Sequence, residues 1–175
     1  MKRLTLVRHA KSSWKDSELA DFDRPLAKRG KKDAPDMGER LASRALRPEI
    51  IISSPAKRAR QTVKLIARKL ELPEERLILE AKVYEAEPGV LLEVVRGLDE
   101  RWEHALLVGH NPGLTELANL LADCGIDNIP TCGVVCLDLA AKDWKGIGPG
   151  AGTLVFFDYP KKPPNESAPQ PRRPA

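Results

Sequence analysis

Cysteine is scarce in this chain, with only Cys124, Cys132 and Cys136 among 175 residues. An odd number without metal-finger spacing excludes a disulfide framework and a zinc ribbon, and it suits buried packing thiols in a reducing compartment. The positions six after the cysteines are Pro130, Asp138 and Lys142, so the Cys-x5-Arg arrangement of cysteine-dependent phosphatases is missing as well. No apolar run approaches the ~20 residues that cross a bilayer. Met1-Lys-Arg leads into only four strand-like residues instead of the apolar core of a signal peptide. A cytoplasmic protein with no membrane segment is expected. Neither a dinucleotide fingerprint nor Gly-x4-Gly-Lys-Ser/Thr occurs, so Gly146, Gly148, Gly150 and Gly152 read as loop residues.

What is present fits one α/β domain, expected over residues 1–159. The formal net charge is +4, but residues 160–175 hold Lys161, Lys162, Arg172 and Arg173 against Glu166 and carry three of those four charges. That segment has six prolines and no large apolar residue, too little to offset the entropy of ordering, and reads as a disordered basic tail. It lacks interleaved aromatics for base stacking, so no nucleic-acid partner is expected.

Apolar runs at Leu4–Val7, Glu49–Ser54, Leu77–Leu79 (extending toward Val83), His104–Gly109, Val134–Leu139 and Thr153–Asp158 predict strands. Between them, helical spacing appears at Ala34–Ala45, with Pro35 in the first turn or at a kink. It recurs at Ala56–Leu70, from Pro88 through Leu98, and at Leu114–Leu121. Ser54-Pro55 and Asn111-Pro112 each read as an N-cap followed by proline at the first helical position. Strands alternating with helices predict a three-layer sandwich on a mostly parallel sheet. The last two strands have no helix between them and are expected to be antiparallel, giving an antiparallel edge strand.

In such sheets ligands gather beyond the carboxyl ends of the strands. Three ends deliver reactive side chains: Arg8 with His9, Arg58 just after the second strand, and His110 after the fourth. Guanidinium groups match phosphate oxygens bidentately, and helix N-termini add amide donors, so the ligand is expected to be a phosphate. A neutral imidazole can attack phosphorus, and nearby arginines favour the neutral form. A metal is not expected, because only His9 and His110 qualify as ligands by position and two guanidinium groups would repel a dication. His104 opens its strand at the opposite end and reads as a surface or packing residue. The polar stretch Ala10–Arg24 reads as a surface loop beside the site. Lys64 and Arg68 read as a solvated helix face.

The motifs Leu-Val-Arg8-His9-Ala, Ser54-Pro-Ala-Lys-Arg58-Ala-Arg-Gln-Thr62 and Val-Gly-His110-Asn-Pro together resemble the histidine phosphatase superfamily, in particular its small SixA-type phosphohistidine phosphatases. The resemblance spans roughly Lys2 to Pro160. Alanine at position 10, where much of the superfamily has glycine, is compatible with that branch. The resemblance implies a phosphoglycerate-mutase-like α/β sandwich needing no cofactor. It implies His9 as the phosphorylated nucleophile, with Arg8, Arg58 and His110 as phosphate ligands, and Lys11, Ser12 and Asn111 are taken as further substrate-binding positions. The wider family supplies a general acid from the region where this chain has Glu85 and Glu87. Glu85 is the candidate, but it sits in a charged loop with no following apolar neighbour before Val90, which favours both glutamates pointing away from phosphate.

The leading expectation is a metal-independent phosphatase acting on protein phosphohistidine. The short connections after the second and third strands leave no room for a capping subdomain, and an open site suits a phosphate on a protein surface. The alternatives are a small-molecule phosphomonoesterase or mutase acting on a small phosphate ester, and a non-catalytic phosphate-binding module. No residues for a mutase's second phosphate pocket are evident, and nothing in the chain selects an oligomeric state.

Overall fold

The computed structural model describes residues 1–163. Its elements in chain order are β1 (Lys2–Arg8), α1 (Lys28–Ser43), β2 (Ile50–Ser53), α2 (Lys57–Lys69), β3 (Leu77–Leu79), α3 (Pro88–Arg96), β4 (His104–Gly109), α4 (Gly113–Ala122), β5 (Val134–Leu139) and β6 (Gly152–Asp158). Six strands form one sheet in the order β3-β2-β4-β1-β5-β6.

Side chains alternate across the sheet as the strand period requires. Val7, Ile51, Leu106 and Val108 pack on one face with Met37 and Leu41 of α1 and Val63 and Ile66 of α2. Leu4, Leu6, Ile50, Ile52 and Leu107 pack on the other with Leu91 and Val95 of α3 and Leu114 and Leu117 of α4. The strands are therefore apolar on both faces, which is why they read as continuous hydrophobic runs.

β3, β2, β4 and β1 run parallel. The strand that runs against the rest is β5, antiparallel to both β1 and β6. It lies one place in from the edge, and the edge strand β6 again points with the first four. A hairpin-like connection fixes how β5 and β6 run relative to each other, but not which of them docks on β1.

Three further boundaries differ from expectation. α1 begins at Lys28, so Pro35 lies inside the helix. β3 stops at Leu79, and Ala81–Val83 is a 3-10 turn. Of the tail expected from Pro160, residues 164–175 lie outside the described residues, whereas 160–163 turn back onto the domain. There Arg40 donates to the carbonyls of Tyr159, Pro160 and Lys162 at 3.0–3.3 Å. Among the described residues no helix is long and apolar enough to cross a membrane.

The topology positions the site. After β1 the chain moves outward to β2 and β3, then returns to insert β4 beside β1, so the connections diverge around the β4/β1 boundary. Arg8 pairs with Gly109 and Ser53 with Val108, so the carboxyl ends of three neighbouring strands finish side by side.

Candidate active site

β1 ends at Arg8, and the chain leaves regular strand geometry at His9, which lets adjacent side chains serve one cavity. Backbone bonds hold this exit. The His9 amide donates to Gly109 O at 3.2 Å, and Cys132 N donates to His9 O at 3.0 Å. The Ala10 amide donates to Thr62 Oγ1, which itself donates to Arg58 O in α2. A cavity of about 250 Å3 opens over this point, lined by Arg8, His9, Arg58, His110 and Glu85, among others.

His9 is buried, and its Nδ1 lies 2.8 Å from Ala10 O. A carbonyl only accepts, so Nδ1 carries the proton and Nε2 presents its lone pair. Burial, with His110, Arg58 and Arg8 adding repulsion, lowers the His9 pKa from the ordinary 6.5 to about 3. The imidazole is therefore neutral near pH 7. His110 lies beside it, with ring centroids 5.1 Å apart. Its Nδ1 faces the Arg58 guanidinium at 3.4 Å and must accept, so Nε2 donates to Ser54 Oγ at 2.7 Å. Burial and then Arg58 lower the His110 pKa to about 4.

Arg58 is buried and held from three sides. It donates to Asp21 O at 2.7 Å, to Asp21 Oδ2 at 3.0 Å and to Glu85 Oε1 at 3.2 Å. Arg8 donates to Ile129 O at 2.9 Å, leaving its buried Nε without a partner. Asp21 is a junction, because its carboxylate also accepts from Arg24 at 2.9 Å and from the Tyr84 hydroxyl at 2.6 Å. These hydrogen bonds hold its pKa down to about 2, Tyr84 contributing most.

The structure brings Arg8, His9, Arg58 and His110 together, and Lys11, Ser12, Asn111 and Glu85 also line the cavity. Lys11 is exposed at the rim. The Ser12 hydroxyl accepts from Arg24. Asn111 donates to Asn128 Oδ1 and Ile129 O and accepts from Thr115 N and Oγ1, so its whole capacity is spent bracing the wall. Asn111 is thus a cavity wall with its polar groups engaged, whereas the Ser12 hydroxyl, an acceptor from Arg24, keeps its proton to donate.

Glu85 corrects the sequence reading. It turns toward the site, 3.2 Å from Arg58 and 3.9 Å from His110 Nδ1. Two backbone features aim it. Glu85 has φ +52, a left-handed conformation uncommon outside glycine. The next residue's carbonyl, Ala86 O, sits where a Cβ at Gly113 would come within 2.0 Å. Glu87 does not line the cavity.

Residues missed from the sequence are Ser54, Asp21, Tyr84, Trp14, Thr131 and Arg24. Ser54 read as the cap of α2, but the helix starts at Lys57; the hydroxyl accepts from Ala56 N and from His110. Arg24 is buried, with its guanidinium 3.2 Å from the ring centroid of exposed Trp14. The signal for these loop residues lies in the loop's neck, where Ser12 pairs with Leu26 and Ala27 N donates to Lys11 O. That zipper projects the intervening residues over the cavity. Away from the site, His104 is a buried packing residue, 2.8 Å from Thr5 Oγ1, with its pKa lowered by burial to about 4. Among the described residues no group of three or more His, Cys, Asp or Glu side chains is arranged to hold a metal ion.

The three buried neutral histidines couple stability to pH. Unfolded, each titrates near the ordinary ~6.5, so below that pH the unfolded chain binds protons the native state refuses. The melting temperature should hold between pH 8 and 7 and fall progressively from about 6.5 toward 4.5, where most carboxylates are still ionised. Thermal melts across that range check this, and a flat profile would overturn it.

An α/β sandwich that gathers two arginines and two neutral histidines beyond adjoining strand ends defines a protein with a cationic, histidine-bearing cavity at the sheet's carboxyl edge. The chain belongs to the histidine phosphatase superfamily (branch 1), whose family model matches residues 4–93. It is 33% identical over 165 residues to an uncharacterized protein of Mycobacterium tuberculosis, covering 89% of this chain and 100% of that one. A crystal structure from Agrobacterium tumefaciens, assigned provisionally as the phosphohistidine phosphatase SixA, superposes with a TM-score of 0.78 at 27% identity, over 91% of this chain and 98% of that one. The protein histidine phosphatase SixA complexed with tungstate shares the fold, at TM-score 0.77 and 21% identity over 90% and 97% of the two chains.

Proposed function

We propose that this protein is a cytoplasmic phosphatase that removes phosphoryl groups from phosphohistidine on proteins, through a phosphohistidine formed on His9 and without a metal. The observation that carries this reading is the His9 tautomer. Its proton is engaged by Ala10 O, and the bare Nε2 belongs to a neutral ring inside a cavity bearing Arg8 and Arg58. A module that only binds phosphate has no need of such an arrangement.

In the first step the substrate's phosphoimidazole, protonated on its other nitrogen by solvent, is attacked at phosphorus by Nε2, and its P–N bond breaks to release a neutral imidazole. The positive charge growing on His9 is stabilised by the Nδ1–H to carbonyl bond already in place. Arg8 and Arg58 neutralise the equatorial oxygens. The dianion opposes the burial and the arginine repulsion that keep His110 neutral, so its Nδ1 gains a proton and becomes a donor to phosphate. Water then attacks the phosphoenzyme and releases inorganic phosphate. Arg58 must exchange its carboxylate partners for phosphate oxygens on binding, which the half-exposed side chains of Asp21 and Glu85, on two separate loops, permit.

Protein substrate is supported by the open setting. Only Ser54, Pro55 and Ala56 separate β2 from α2, and eight residues separate β3 from α3, so neither connection builds a cap. The free thiols suit a reducing compartment. A second reading, a small phosphate ester as substrate, is favoured by Glu85, since a carboxyl facing the cavity can assist an alkoxide leaving group.

Turnover of a phosphohistidine peptide, an aryl phosphate and a sugar phosphate separates the two readings, and a preference for the sugar phosphate would overturn the first. Arg58→Ala and His110→Ala should each lower kcat/KM by about 10²-fold or more, the scale of a lost transition-state donor, with circular dichroism unchanged. Chelators should leave the rate as it is. Loss in chelator restored by zinc or magnesium would overturn the metal-independent mechanism.

A further inference from the structure

The face of α2 that brings Arg58 into the cavity continues past it. Arg58, Gln61, Leu65 and Arg68 succeed one another at intervals of three, four and three residues and so lie along one stripe of the helix. Beyond Arg58 this stripe walls a second groove, of about 300 Å3, lined by Leu26, Lys31, Gln61, Lys64, Leu65 and Arg68. The two sites share a wall. Leu26 pairs with Ser12 of the catalytic cavity, and its amide donates to Gln61 Oε1 at 2.8 Å.

The groove's charge is one-sided. α2 contains Lys57, Arg58, Arg60, Lys64, Arg68 and Lys69 and no acidic residue. The acids of neighbouring α1 are already engaged, Asp33 with Arg29, Asp36 with Lys32 and Glu39 with Lys69. Lys31, Lys64 and Arg68 have no ion-pair partner among the described residues. Like charges four apart, as at Lys64 and Arg68, weaken a helix, so the fold gains nothing from this pattern. The half-buried Leu65 among three unpaired cations complements an acidic stretch of polypeptide that carries an apolar side chain.

We propose that this groove docks an acidic segment of the phosphoprotein substrate, an inference that rests on the cavity accepting a protein-borne phosphoryl group. Its carboxylates meet Lys31, Lys64 and Arg68, and an apolar side chain rests on Leu65. From Arg58 to Arg68 the helix advances roughly 15 Å. The acidic residues therefore lie about four or five extended residues from the phosphorylated one. Lys64 and Arg68, read from the sequence as a solvated face, become the specificity determinants.

The test uses the full chain and its K64E/R68E variant. The substrates are a phosphohistidine peptide with aspartates and a leucine at that spacing, the same peptide with asparagines, and p-nitrophenyl phosphate. The wild type should turn over the acidic peptide with kcat/KM about tenfold above the asparagine peptide. The double variant should remove that advantage through KM, again by about tenfold, while p-nitrophenyl phosphate turnover stays the same. Fluorescence anisotropy of the labelled, unphosphorylated acidic peptide should show the same loss of binding, so the groove is tested even if no phosphate substrate is hydrolysed. Absence of all turnover with binding intact sinks the phosphatase reading alone. Equal turnover and binding of the two peptides overturns the docking proposal. So does a variant that loses binding to single-stranded DNA or phosphatidylserine vesicles while keeping the acidic peptide.

Discussion

His9→Ala should abolish turnover, by at least ~10⁴-fold, the scale on which loss of a nucleophile acts. Rapid quench of the wild type into alkali should trap a base-stable, acid-labile phosphoramidate on His9 Nε2. The expectation follows from local geometry. Nδ1 is occupied by Ala10 O, so only Nε2 can attack, and a pKa lowered to about 3 leaves the ring unprotonated throughout the working range. Formation of the intermediate should therefore lose nothing to nucleophile protonation as pH falls from 8 to 5. The competing nucleophile lies behind the cavity wall: Ser54, hydrogen-bonded to His110 in a pairing that outwardly resembles an activated serine. Its oxygen is fully buried and accepts from both His110 Nε2 and Ala56 N, so it has no approach to phosphorus. Peptide mapping decides between them. Label on Ser54, or wild-type turnover by His9→Ala, would overturn the assignment.

Arg8, His9, Arg58 and His110 were legible in the sequence because each follows an apolar run whose end the chain marks locally, by a change in polarity or by a proline. The fold class was legible for the same reason, since strands buried on both faces leave continuous hydrophobic runs. What escaped depends on contacts between distant segments. Ser54 stands before Pro55 and satisfies every local rule for a cap, yet its partner is His110, 56 positions away. Asp21 resembles its neighbours Asp16, Glu18 and Asp23, and only the docking of its loop against α2 and Tyr84 makes it the junction of the site. The position of β5 inside the sheet was hidden likewise, because either of two antiparallel partners could have met β1.

Glu85 is the residue for which local reading pointed the wrong way, and its replacement should have the most selective effect. A charged loop without apolar neighbours suggests a carboxylate pointing into solvent. The left-handed backbone at Glu85 and the seating of Ala86 O against Gly113 instead turn it inward, and neither has a signature in the residues around position 85. Its carboxyl lies 3.2 Å from Arg58 and 3.9 Å from His110 Nδ1, within the cavity that a phosphate ester would enter. An imidazole can take its proton before the P–N bond breaks, whereas an alkoxide needs a donor during cleavage. Glu85→Gln should therefore lower first-turnover phosphoenzyme formation from an alkyl phosphate by ~10²-fold or more, the usual range for general acid catalysis. Formation from a phosphohistidine peptide should change little. The first turnover is the quantity to measure, because the same carboxylate can accept a proton from water in the second step and slow the steady state for every substrate. Rapid-quench amplitudes and rates on both substrates check this. Equal losses on the two would make Glu85 a positioning residue for Arg58, and no loss on either would remove it from the chemistry.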